Sequence, residues 1–93
     1  MVNAFVLVKG EPARLSGLAE SLVEIEGVTE VYSVAGDLAD LVAVVRVREH
    51  EQLADVVTRH IAAAPGVVST TTLIAFRSYS KHDLEAIWDL GQH

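Results

Sequence analysis

The 93-residue chain contains no cysteine, which removes a disulfide framework and any thiolate metal site. It also lacks a basic cluster. Its seven Lys and Arg residues (Lys9, Arg14, Arg46, Arg48, Arg59, Arg77 and Lys81) are scattered among thirteen acids, giving a formal net charge of −6. Only Arg46 and Arg48 lie close together, and Glu49 and Glu51 follow them. Nucleic-acid binding ordinarily needs grouped cations that displace counterions from phosphates, so direct contact with DNA or RNA is not expected. No apolar run approaches the roughly 20 residues that span a bilayer, so no membrane partner is expected. The opening MVNAFVLVKGE carries no basic leader and no small-residue cleavage site, which argues against a signal peptide. These absences point to a cytoplasmic location.

Signatures of common chemistry are missing as well. There is no G-x-S-x-G elbow, Walker loop or G-x-G-x-x-G fingerprint. The serines at 16, 21, 33, 69, 78 and 80 have no evident base beside them. Histidines 50, 60, 82 and 93 form no His-x-x-x-His pair, and a metal site would need their convergence from separate elements. They read as solvated or helix-capping side chains. The expectation is therefore no catalytic residue, no cofactor and no metal.

What the chain has in excess is apolar surface. At this length it makes one domain, yet 51% of it is hydrophobic and its mean hydropathy is +0.34. A lone domain of this size buries only roughly 60% of its unfolded surface, so a partner covering one face is expected. Val2 to Val8 reads as a strand buried on both faces, being apolar at nearly every position. Lys9-Gly10-Glu11-Pro12 ends it and starts a helix over Ala13 to Glu24, with Leu15, Leu18, Ala19, Leu22 and Val23 on one stripe. Glu30 to Ala35 and Leu41 to Val47 read as two strands joined by a short turn, hence an antiparallel hairpin. A second helix follows over Glu49 to Ala64, stopped by Pro65-Gly66, and then a strand over Val67 to Phe76. Alternation puts Thr70, Thr72, Ile74 and Phe76 on one face of that strand.

The order β-α-β-β-α-β is that of an α+β, ferredoxin-like domain with a four-stranded antiparallel sheet. It occupies residues 1–77. Residues 78–93 read as an accessory helix of the same domain, with Ser80 as N-cap, Asp83 completing a capping-box variant, and Leu84, Ile87 and Trp88 on one face. Two helices cover only one face of such a sheet. Pairing of two copies sheet to sheet is the simplest cover for the other, and the alternative is a monomer with an adhesive face.

Within this frame one corner carries candidate binding chemistry. Gly36 permits unusual backbone torsions and exposes N–H groups, while Asp37 and Asp40 supply carboxylates. Carboxylates beside exposed N–H groups suit a zwitterion, with the amine on the acid and the carboxylate on the amides. Thr70 and Thr72 add hydroxyls. The same residues also suit an ordinary turn and an ordinary strand.

Several short pieces in order resemble the effector-binding (RAM) domain of the Lrp/AsnC family over nearly the whole chain. They are Gly27-Val28, Val34-Ala35-Gly36-Asp37, Asp40-Leu41-Val42, Leu53 to Ile61, and Pro65-Gly66-Val67 through Thr70-Thr71-Thr72. Family members join this domain to a DNA-binding helix-turn-helix, and this chain resembles the stand-alone form. The resemblance implies a sheet-to-sheet dimer, or an octameric or decameric ring built from such dimers. It also implies an amino acid or related effector in clefts between subunits, with a full-length regulator of the family as a further partner. The family's glycine-acid loop and fourth-strand hydroxyls correspond to Gly36, Asp37, Asp40, Thr70 and Thr72. Three residues separate Gly36 from Asp40 where the family pattern has two. The extra one suggests a bulge and leaves either Asp37 or Asp40 at the family's acid position. The expected function is non-enzymatic sensing of a small molecule in transcription regulation. The rivals are a ligand-free scaffold and a small dimeric enzyme of the monooxygenase type using His60 or Tyr32.

Overall fold

A computed structural model describes residues 1–81. Its elements are β1 (Val2–Gly10), α1 (Leu15–Val23), β2 (Val28–Ser33), β3 (Leu41–Val47), α2 (His50–Asp55) and β4 (Val67–Ala75). They build one antiparallel sheet in the order β2-β3-β1-β4, with both helices on one side. This is the expected α+β, ferredoxin-like arrangement. The segment expected to form the accessory helix lies outside the described residues beyond Lys81.

The helices form where the sequence supplies both a start and an apolar stripe. Pro12 opens a single 3₁₀ turn, Pro12–Arg14, before α1, so the regular helix begins two residues later than the apolar spacing predicts. Leu18 and Leu22 are buried on its inner face. Glu49 caps α2 through a reciprocal box with Gln52, which satisfies backbone N–H groups that a helix start leaves without partners. The next turns, Val56–Ile61, widen to π-type winding. There the Ala62 N–H donates to the Val57 carbonyl, five residues back, at 2.8 Å.

The core lies between helices and sheet. Ala4, Val6 and Val8 of β1 and Leu41, Ala43 and Val45 of β3 meet Leu18, Leu22, Leu53, Val56 and Ile61. Burying a side chain of this kind stabilises by about 1.5–3 kcal/mol. Expectation and structure part at β1. Its alternate residues face away from the helices, and there Phe5 is 43% exposed while Leu7 is half-buried. The strand is buried on one face within a single chain because no described element crosses the other. Register places Phe5 beside Val44 of β3 and Leu73 of β4, and Tyr32 of β2 beside Val42. The open face is thus an apolar strip across all four strands.

The strand β2 also differs from the reading, starting at Val28 and ending at Ser33. Gly27, at φ +98°, makes the turn that lets Val28 enter the core directly. The expected bulge is not in the corner between Gly36 and Asp40. Irregular register occurs instead between Val28 and Glu30 and between Lys9 and Gly10. The extra corner residue is absorbed by a loop that the Val34 N–H closes by donating to the Asp40 carbonyl at 3.0 Å.

Candidate ligand site at the end of the sheet

The loop from Val34 to Asp40 hangs between β2 and β3 at the end of the sheet where β1 terminates. Two backbone bonds anchor its far side: Val34 to Asp40, and the Asp40 N–H donating to the Val8 carbonyl at 2.9 Å. Ala39 is buried beside them, while Leu38 points outward at 80% exposure. Gly36 and Asp37 are exposed, and a Cβ on Gly36 would meet open space.

The two acids of the corner separate here. Asp40 is partly buried, and its Oδ2 accepts the Gly10 N–H at 3.0 Å. This carboxylate ties the start of β3 to the end of β1, at the point where the β1 register shifts against β4. Its Oδ1 makes no hydrogen bond within the described residues. Asp37 has no hydrogen bond or ion pair among them and stands in solvent.

Thr70 and Thr72 lie on the helix side of β4, half-buried, with Ile74 on the same face. Val8 pairs with Leu41 on one side and with Thr70 on the other. Leu41, Val8 and Thr70 therefore form one row across the sheet, with Asp40 one residue beyond Leu41. Thr72 sits a further pair along, opposite Val6. Two strand spacings separate Asp40 from Thr70, roughly 10 Å. One chain brings the loop, Asp40 and Thr70 to the same end of the sheet but does not close them around a small molecule.

A larger concavity than this corner offers lies elsewhere among the described residues, and the sequence patterns did not single it out. It is an open trough of ≈ 970 Å³ at the opposite end, between the end of α1 and α2. Glu24, Glu51 and Asp55 face Arg46, Arg48 and His60 around a floor that includes Val47 and Val56. The trough is where two helices diverge over the core. Its charged side chains are exposed, and the ion pairs there are the surface contacts Asp55–Arg59 at 3.1 Å and Asp55–His60 at 3.7 Å. Size alone does not make it the better site.

The two side chains suspected of catalysis are far apart in kind. Tyr32 lies on the open face of β2 and donates its hydroxyl to the Glu30 carboxylate. That bond, with the adjacent negative charge, raises the phenol above its ordinary value. His60 borders the trough on the helix side. No group of three or more His, Asp or Glu side chains is placed to hold a metal ion among the described residues.

Comparison with known proteins gives this geometry a context. The model of the Lrp/AsnC ligand-binding domain matches residues 3–84. The HTH-type transcriptional regulator FL11 of Pyrococcus horikoshii is 32% identical over 78 residues, which are 84% of this chain and 50% of the regulator. The chain thus spans about half the length of that curated relative. The crystal structure of TTHA0845 from Thermus thermophilus superposes with a TM-score of 0.81 at 47% identity, covering 87% of this chain and all of that one. A feast or famine regulatory protein from M. tuberculosis complexed with L-methionine has a TM-score of 0.72 at 31% identity, covering 87% of this chain and 54% of its own. With its family model matched almost end to end and the expected fold in place, this chain belongs to the Lrp/AsnC ligand-binding domains.

Proposed function

We propose that this domain senses an amino acid or closely related zwitterion at the corner formed by Gly36, Asp37 and Asp40, with Thr70 and Thr72, in a cleft shared between copies of the chain. The observation that carries the reading is the position of Asp40. One carboxylate oxygen is held by the Gly10 N–H, and the residue itself stands beside the exposed Asp37 loop and across β1 from Thr70. Carboxylates attract an ammonium, and loop N–H groups and threonine hydroxyls suit a carboxylate. The gap of roughly 10 Å between the two halves favours completion of the site by a second subunit. The M. tuberculosis relative, solved with L-methionine, supports the ligand class.

The same reading gives the open sheet face to a second copy, as the base of a dimer or of an octameric or decameric ring. Phe5, Tyr32 and Leu73 are each roughly half exposed there, a continuous apolar area of the kind that marks an interface. A ligand bound between subunits then couples to assembly, since whatever binds only the assembled form stabilises it. Control of transcription passes through a DNA-binding partner such as a full-length regulator of the family.

The test is light scattering and calorimetric titration against a panel of free amino acids. One amino acid is expected to bind and to change the mass or thermal stability of the assembly. The double substitution Asp37→Ala with Asp40→Asn weakens that binding at least tenfold, and undiminished affinity refutes the site. A fixed oligomer indifferent to every amino acid leaves the scaffold reading. Leu73→Asp, which puts a charge into the open face, lowers the mass to that of a monomer, and an unchanged mass refutes sheet-to-sheet pairing.

A further inference from the structure

We infer that Lys9, with Ser69 beside it, receives the carboxylate of the zwitterion whose ammonium Asp37 and Asp40 attract, so that the corner selects ligands with a free α-carboxylate. The inference rests on the amino-acid site proposed above. Alternation along β1 sends Ala4, Val6 and Val8 into the core and leaves Asn3, Phe5, Leu7 and Lys9 on the open face. Both backbone neighbours of Lys9 are bound to one residue. The Val8 carbonyl accepts the Asp40 N–H at 2.9 Å, and the Gly10 N–H donates to Asp40 Oδ2 at 3.0 Å. Lys9 is thereby held alongside the partly buried acid. It is itself exposed and makes no ion pair or hydrogen bond through its side chain among the described residues.

The strand β4 supplies a hydroxyl at the same point. Lys9 pairs with Ser69 as Leu7 pairs with Thr71, so Ser69 stands roughly 5 Å from Lys9 across the ladder. Ser69 is exposed and shares the open face with Lys9, whereas Thr70 lies on the other face. The nearby base Arg14, in the 3₁₀ turn that follows β1, is engaged by Glu11 at 3.2 Å, which leaves Lys9 as the cation free to meet an anion here. An ammonium gives a carboxylate a charge-assisted bond, roughly twice as strong as one from a neutral donor. An acid and a base on neighbouring strands match an amino acid, whose two charges are carried by adjoining groups. Lys9 and Ser69 also end the apolar strip of Phe5, Leu7, Thr71 and Leu73. They place the carboxylate subsite at the rim of the open face, where a second copy seated on that strip would wall it.

The test is calorimetric titration with the free amino acids and with their α-amides, which keep the ammonium and lose the negative charge. The parent is expected to bind at least one amino acid and to bind its amide about tenfold more weakly or worse. Lys9→Gln, at an exposed position, erases that preference for the acid while the protein folds as the parent does by circular dichroism, and Lys9→Arg retains it. Arg48→Gln removes the same charge at the opposite end of the sheet and also retains it. A Lys9→Gln protein that still prefers the acid overturns the inference and leaves the amino-acid site standing. An equal loss in Arg48→Gln overturns it as well, because the effect is then one of net charge. So does a lowered assembly mass in Lys9→Gln with the preference intact, because Lys9 then pairs with an acid of a second copy. A parent that binds neither form of any amino acid overturns this inference and the proposed function together.

Discussion

Asp40→Ala removes the acceptor of the Gly10 N–H and leaves that donor buried at the end of β1. An unsatisfied buried donor costs about 1–3 kcal/mol, and bonds to charged acceptors are at the upper end of hydrogen-bond strengths. Because Asp40 itself is only partly buried, water reaches some of the gap, and about 1.5–2.5 kcal/mol is expected. For a domain of this size each kcal/mol moves the melting temperature by roughly 4–8 °C. Asp40→Asn keeps a carbonyl oxygen in place and loses about half as much, on the order of 1 kcal/mol. Asp37→Ala touches nothing in the described chain and stays within about 0.5 kcal/mol. The assay is urea unfolding followed by circular dichroism, at fixed protein concentration because assembly contributes to stability. An Asp40→Ala protein as stable as the parent, or an Asp37→Ala protein equally weakened, refutes the assignment of Asp40 as the clamp and Asp37 as the free acid.

Two further perturbations probe the ends of the same sheet. Gly10→Ala would bring a Cβ to 2.9 Å from the Cδ2 atoms of Leu15 and Leu18 and 3.2 Å from the Gly66 carbonyl, an overpacking that costs about 1–3 kcal/mol; a stability equal to the parent's in urea refutes that packing. The Tyr32 phenol, raised by its bond to Glu30 and by that group's charge, titrates later than an ordinary tyrosine near pH 10. Its neutral form is the one favoured on folding, so the stability it lends is complete below the ordinary value and lost as pH rises through the folded one. In a Tyr79→Phe background, Glu30→Gln is expected to lower the tyrosinate midpoint seen by ultraviolet absorbance, and an unmoved midpoint shows the pair does not form in solution.

Most of the fold was legible because it follows from periodicity. The bounds of β3 match the apolar run Leu41 to Val47, and the stripe Leu18, Leu22 and the trio Leu53, Val56, Ile61 turn inward as spaced. The reading slipped where a local backbone event outranked the pattern. Pro12 tightened the first turn into a 3₁₀ form, and the positive-φ turn at Gly27 drew Val28 into β2. The apolar run of β1 suggested burial on both faces. Hydropathy does not distinguish a face that the chain itself covers from one that it leaves open, and Phe5 and Leu7 lie on the open face.

The site was less legible than the fold because its parts are defined by tertiary register. Glycine and acids at a turn are ordinary, and nothing in Gly36-Asp37-Leu38-Ala39-Asp40 says which acid faces inward. That depends on the Gly10 N–H, which lies 30 residues away and faces β3 just past the last pair of β1 and β3, Val8 with Leu41. The order β2-β3-β1-β4 then places the start of β3 and the start of β4 on either side of the end of β1. A loop acid and a strand hydroxyl are thereby brought to one end of the sheet from distant positions in the chain. With one acid spent on the fold, a substitution at Asp40 is expected to perturb stability together with the proposed binding, while a substitution at Asp37 tests the proposed binding alone. The two acids are therefore separable by experiment even though they are interchangeable by composition.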